Sequence, residues 1–326
     1  MKPFKFEQAT TAVQASRTHL DGAPNSRFIS GGTDILAQIK EGTLRINTLV
    51  SLAGLPGASE VETAGDGLEI GALVTLSRIA SDPSIAESHP ALSQAAESVA
   101  TPQIRNAGTL GGNLCQRPRC WYFRDSSFYC RKKGGDNCFA YSGENRYHAI
   151  LGSGDCHIVH PSDVAVALLA LDATVVVSGE SGDKDIPISE FFVQPDVNVL
   201  AENVLEPGEF VSRVRIPNLA TGARSAYLKA KERQAYDFAL SSVAASLVVI
   251  DGTIAQARVA LGGVAPVPYS VPQVDSALTG QKIQQVDAQA IGQLAVQDAQ
   301  PMSDNGYKVR LTASMVARAV SQLLAE

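Results

Sequence analysis

The sequence predicts a mixed fold, with strands and helices sharing one chain of more than one domain. Three stretches carry that expectation. Near the N-terminus, RFISGGTDILAQIKEG reads as a strand, a glycine turn and a helix in succession. Further on, Ala244–Ile250 and Ile254–Leu261 are apolar runs around Asp251-Gly252, a residue pair that favours a tight hairpin. The chain ends in VRLTASMVARAVSQLLA, which places Leu311, Met315, Ala319 and Leu323 on one helical stripe. With 326 residues, 45% of them hydrophobic, the chain can bury a substantial core, and its length suggests two or three domains.

The elements follow in order. PFKFEQ reads as a strand, and the next stretch as an amphipathic helix with Ala12, Ala15 and Leu20 inward. Phe28 and Ile29 end a second strand, Gly31 and Gly32 make a tight turn, and Thr33 or Asp34 can cap a helix carrying Ile35, Leu36 and Ile39. A strand, a glycine turn and a helix start together suit a phosphate, although a glycine pair after a strand is often an ordinary turn. Thr48–Leu52 and Leu68–Leu76 read as strands, and HPALSQAAESVA as a helix ending near Ala100. TPQIRNAGTLGGN reads as a loop. Its Gly108, Gly111 and Gly112, with Thr101, Asn106, Thr109 and Asn113, suit a second close approach of backbone to a ligand. Ser162–Leu171 is a nearly all-apolar helix whose one charge, Asp163, either caps its first turn or contacts a ligand. TVVVSG and Phe210–Pro217 read as strands, and Pro217, Asn218 and Gly222 mark a domain boundary.

Composition excludes several classes. A net charge of −6 argues against a general nucleic-acid surface. No apolar run reaches 18 residues, so no transmembrane helix is expected. The stretch MKPFKFEQATTAVQ has no long apolar core and no twin arginine, so it does not read as a secretory signal. A cytoplasmic protein is the simplest expectation, or a periplasmic one carried on a partner's signal. No Ser/His/Asp triad motif, Walker A pattern or HExxH is present. Asp183 and Asp185 sit in what looks like a solvated turn.

All five cysteines, Cys115, Cys120, Cys130, Cys138 and Cys156, fall between Ile104 and His160. Their crowding and odd number argue against a disulfide framework and favour a metal or cluster. The gaps of four, nine, seven and seventeen residues fit neither a zinc-finger pair pattern nor a tight ferredoxin run. The segment between them is polar and needs a staple to order it. Arg117, Arg119, Arg124, Arg131, Lys132 and Lys133 would offset the charge of a four-thiolate cluster, and Trp121, Tyr122 and Phe123 could shield it. A zinc site and free thiols are the alternatives. His157 and His160 flank the last cysteine as further candidate ligands, although hydrogen-bonding or surface roles suit both better.

Four motifs, ISGGTDIL, TPQIRNAGTLGGN, PSDVAVALLALDA and ALGGVAPVPY, occur in this order. Together they resemble the FAD-binding medium subunit of the xanthine dehydrogenase/aldehyde oxidase molybdenum hydroxylase family. The cysteine stretch is similar to the 4Fe–4S loop in the flavin subunit of periplasmic aldehyde oxidoreductase and of 4-hydroxybenzoyl-CoA reductase. The resemblance implies an α+β fold. Residues 1–221 would form a vanillyl-alcohol-oxidase-like (PCMH-type) FAD-binding domain of two lobes, with the cluster loop inserted at about 115–157. Residues 222–326 would form a CO-dehydrogenase-flavoprotein-like α+β domain.

The resemblance also implies site residues. The first turn, Ile29, Ser30, Gly31, Gly32, Thr33 and Asp34, and the second, Thr109, Gly112 and Asn113, would grip the FAD pyrophosphate. Ile104 would lie near the isoalloxazine, Asp163 and Lys229 would contact the flavin, and Val211 would pack on it. Cys120, Cys130, Cys138 and Cys156 would hold the cluster, with Cys115 a buried thiol. The implied function is electron transfer. A large molybdenum-cofactor subunit would oxidise an aldehyde or N-heterocycle. A small 2Fe–2S subunit would relay electrons, and this chain would deliver them through FAD to an external acceptor. The implied assembly is a heterotrimer or a dimer of heterotrimers. A hydroxybenzoyl-CoA-reductase-like or xanthine-dehydrogenase-like flavin subunit is the alternative, and a zinc-stapled binding module is another.

Overall fold

The computed structural model describes residues 2–65 and 67–325. The fold is α+β, built on three sheets. The first is parallel, with Thr48–Ser51 between Lys5–Gln8 and Ser26–Ile29. The second is antiparallel, in the order Val61–Ala64, Gly67–Gly71, Phe210–Pro217, Thr174–Gly179 and Gly182–Pro187. The third, also antiparallel, runs Tyr269–Ser270, Thr253–Gly262, Ser241–Ile250 and Ala223–Ala230. Its central hairpin turns at Asp251 (φ 49°) and Gly252 (φ 73°), the left-handed pair a tight hairpin needs.

The helix Asp163–Ala170 explains how the parts join. It is apolar on every side because every side is covered. Val164, Ala165 and Leu168 enter the core of the second sheet, with Val175, Val177 and Val214. Val166, Ala167 and Ala170 pack against Tyr227, Ala244 and Ala260 of the third sheet and against Ala91 and Ala95. The third sheet shares a further core with residues of Pro272–Leu278, Ala288–Leu294 and Tyr307–Ala325. A fully buried leucine at such a site contributes about 2 kcal/mol.

Several local expectations are corrected. Leu20 is 38% exposed, and Ala15 and Ser16 form the inward face of the helix Ala12–Asp21. The run Leu68–Leu76 is a strand only to Gly71, and Leu76 begins a helix. TPQIRNAGTLGGN is two short helices, Pro102–Ala107 and Leu110–Leu114, capped by the Thr101 and Thr109 hydroxyls. Asp183 and Asp185 lie in a strand, paired at 2.6 Å with Arg213 and Arg215. In the last helix Thr312, Val316, Ala319, Val320 and Leu323 are the buried seam, while Leu311 and Met315 sit at its margin.

Candidate functional site

The two glycine turns lie against each other. A Cβ on Gly31 would stand 1.8 Å from the Ala107 carbonyl oxygen, so only glycine allows this approach. Gly32 has φ 71°, in the left-handed region. The Ser30 and Thr109 hydroxyls meet at 2.9 Å, and Thr109 Oγ1 accepts from the Gly112 amide at 3.3 Å. A Cβ on Gly112 would crowd both hydroxyls. Two cavities open from this junction, with volumes of about 230 and 360 Å³. Ile29, Ser30, Gly31 and Gly32 line the smaller one. Thr33, Asp34, Thr109 and Gly112 line both. Ile104, Asn113 and Asp163 line the larger one.

Asp34 stands at the N-cap of the helix Ile35–Glu41 but makes no side-chain cap bond. Its carboxylate instead receives Arg124 at 2.7 Å, Arg119 at 3.1 Å and the Arg117 amide at 2.9 Å. It thereby ties the first turn to the base of the cysteine stretch. Asp163 does not cap its helix either; Ser162 does, accepting from the Ala165 amide at 3.0 Å. Asp163 accepts from Lys229 Nζ at 2.7 Å and from the Tyr227 hydroxyl. The pair is nearly dry, with side-chain exposures of 3% and 6% for Lys229 and Asp163. Burial and the neighbouring carboxylate push the Tyr227 phenol well up, which keeps it a donor. The Ser162 hydroxyl also donates to Asn113 Oδ1, which joins the second turn to this helix. Val211 lies apart, in the wall of a separate cavity with Leu55, Leu73 and Phe210.

A third cavity, of about 500 Å³, adjoins the second across Arg119, Pro161, Asp163 and Phe238. Its far wall carries Cys120, Trp121, Tyr147 and His148. His160 lines it too, and burial pulls its imidazole down to about 3, so the ring stays neutral. Residues Glu232 to Leu240 contribute much of the remaining wall. Sequence reasoning missed them, because ERQAYDF reads as polar surface. The structural signal is local strain: Tyr236 has φ 57° and donates its amide to the carbonyl of Ala100, itself at φ 42°.

Cys120, Cys130, Cys138 and Cys156 line one small cavity, about 10 Å³, together with Tyr122, Phe123, Phe139 and His148. Cys115 is elsewhere, half-buried against the core of the second sheet and lining the smallest glycine-turn cavity. Burial, with smaller contributions from nearby cysteines, lifts the thiols of Cys120 to about 11 and of Cys156 to about 12. As bare thiolates they would repel one another, so the ionised form needs a positive partner. Lys132, also buried, sits at this cavity and is held by the Val199 and Ala201 carbonyls and by Glu202 at 3.0 Å. Trp121 is 47% exposed and does not line the sulfur cavity; Phe139 does. His157 is absent from its lining, as is His160. Among the described residues, no three His, Cys, Asp or Glu side chains are grouped as a single metal ion requires. Cys120 and His148 are common to the sulfur cavity and the 500 Å³ cavity, so the four cavities are neighbours in succession.

An α+β fold with two facing glycine turns and cavities opening from their junction fits a protein that holds a phosphate-bearing cofactor. A family model described as the FAD binding domain in molybdopterin dehydrogenase matches residues 1–219, and one for the CO dehydrogenase flavoprotein C-terminal domain matches 225–323. The aldehyde oxidoreductase FAD-binding subunit PaoB of Escherichia coli is 35% identical over the whole of both chains. The carbon monoxide dehydrogenase medium chain of Hydrogenophaga pseudoflava is 24% identical over 98% of each. The solved carbon monoxide dehydrogenase of that organism shares the fold, with a TM-score of 0.79 covering 100% of this chain and 99% of that one. The chain belongs to the FAD-binding subunits of the molybdenum hydroxylase family.

Proposed function

We propose that this chain is the FAD- and 4Fe–4S-binding electron-transfer subunit of a molybdenum-containing aldehyde oxidoreductase. The observation that carries this reading is the succession of neighbouring cavities, from the Gly31/Gly32 turn past Asp163 to four cysteines grouped apart from the fifth. The glycine backbone leaves room for a pyrophosphate at the junction of the turns. Asp163 lines the larger cavity and offers an acceptor to a flavin edge, with Lys229 paired to it at 2.7 Å. Bound there, FAD supplies chemistry in which electrons arrive and leave singly or in pairs.

The four cysteines line one cavity inside a polar insertion that needs a staple, and a four-thiolate donor set is what a 4Fe–4S cluster takes. The space between the thiols is narrow, so filling it would open the insertion, in keeping with ligand binding coupled to loop folding. The chain would take electrons from a small 2Fe–2S subunit and a large molybdenum subunit, in a heterotrimer or a dimer of heterotrimers, and pass them to an external acceptor. Full-length similarity to PaoB favours the aldehyde enzyme over the hydroxybenzoyl-CoA and xanthine alternatives.

The test is a set of single Cys→Ser variants, purified without oxygen and assayed for iron, sulfide and FAD. Cys115→Ser should keep about four irons, and each of the other four should lose them while FAD stays. An iron-free wild type, or a cluster lost only with Cys115, refutes the assignment.

A further inference from the structure

His148 stands at the one wall shared by the sulfur cavity and the 500 Å³ cavity. Its Nε2 lies 3.2 Å from Cys120 Sγ, within hydrogen-bonding reach of sulfur. The ring is buried, and Nδ1 has no hydrogen-bond partner among the described residues. Its backbone is held from the C-terminal domain. Asn305 Nδ2 donates to the carbonyls of His148 and Ala149, at 3.2 and 3.1 Å, and Lys308 Nζ to that of Tyr147 at 2.9 Å. Asn305 and Lys308 are fully buried, so the imidazole is carried on a rigid support.

We propose that His148 is a positioning residue that donates a hydrogen bond from Nε2 to the Cys120 sulfur and raises the reduction potential of the cluster. The inference rests on the cluster assignment above. A thiolate bound to iron can only accept, so the nitrogen facing it must carry the proton. A hydrogen bond to a cluster sulfur draws off negative charge. It therefore stabilises the reduced, more negative form over the oxidised one. Cys120 is the ligand on the side of the 500 Å³ cavity, so the adjustment acts on the face turned toward the flavin groove.

The test is a redox titration of the intact complex, followed by electron paramagnetic resonance, for wild type, His148→Phe and His148→Gln. Iron, sulfide and FAD contents are measured alongside. The expected result is a cluster of full iron content whose midpoint potential falls in His148→Phe and recovers at least in part in His148→Gln, whose amide can still donate. The FAD potential should stay unchanged in both. Unaltered cluster potential in an iron-replete His148→Phe overturns the proposal. Loss of iron from both variants overturns it too, because His148 would then be a ligand or a support. Absence of iron and sulfide in the wild type refutes the cluster assignment instead, and is read before any variant.

Discussion

Replacing Gly31 with alanine tests the groove at its narrowest point. The added methyl would begin 1.8 Å from the Ala107 oxygen and 2.7 Å from its carbonyl carbon. Both are backbone atoms, so no rotamer change relieves the clash, and the oxygen would have to recede beyond 3.0 Å. Ala107 ends the helix that carries Ile104, and the Gly108 carbonyl accepts from the Leu76 amide at 2.9 Å, so the second turn cannot drift freely. Overpacking of this kind costs about 3 kcal/mol. Relieved by parting the two turns, that cost is equivalent to about a hundredfold loss of FAD affinity. The assay is FAD content on purification, then a dissociation constant for the flavin-stripped protein. Gly42→Ala is the control: its backbone is left-handed, with φ 76°, but its Cβ would meet nothing within 4 Å. It should cost about 1 kcal/mol of stability and leave FAD in place. A folded Gly31→Ala with wild-type FAD affinity would show that the turns do not jointly grip the cofactor.

Lys229→Met leaves the Asp163 carboxylate buried with only the Tyr227 hydroxyl, and urea unfolding should show a loss of about 3–5 kcal/mol. Adding Asp163→Asn should recover most of it, whereas an additive double variant would mean that the pair is not coupled. His160 supplies a pH dependence. Burial lowers its folded value to about 3 from 6.5, so below pH 6.5 the unfolded chain binds a proton the folded one refuses. Stability should fall as pH drops from 6.5 toward 3, by up to about 1.4 kcal/mol per unit. The slope should flatten in His160→Leu; an equal slope in that variant would rule out this source.

The sequence carries the parts of this fold that local rules decide. Asp251-Gly252 between apolar runs has one good solution, and so has a strand followed by Gly31-Gly32. The all-apolar helix from Ser162 is legible as buried, though not that two domains share it. What escaped was set by tertiary contacts. Leu110–Leu114 is too short and glycine-rich to read as a helix, and becomes one where its first amides find the Val74 and Ala72 carbonyls, at 2.9 and 2.8 Å. Asp34 looks like a cap because caps are usually Asp, Ser or Thr. Its true partners, Arg119 and Arg124, lie some ninety residues on. Charge counting anticipated basic residues around a cluster. It could not say that two of them are spent on the flavin side.

That division of the arginines bears on how the two sites are joined. The cysteine stretch is pinned at its start to the first glycine turn, through Asp34 and the backbone and side chains of Arg117, Arg119 and Arg124. Near its other end it is pinned to the C-terminal domain. Asn145 exchanges hydrogen bonds with Ser303 and Asp304, at 2.9 Å each, and Asn305 and Lys308 hold residues 147 to 149. Lys308 has no carboxylate partner among the described residues, and burial draws its ammonium down to about 7. A buried lysine is costly unless its protons are used. Here they go to the Tyr147 and Gly263 carbonyls, which turns in an irregular segment would otherwise leave unpaired. The insertion is therefore a strap between two domains, laid beside the groove, rather than an independent module on one of them. The four cysteines carried on such a strap keep a fixed place relative to the glycine turns only while both anchors hold. The interdomain contacts and the spacing between the two sites are thus one structural property.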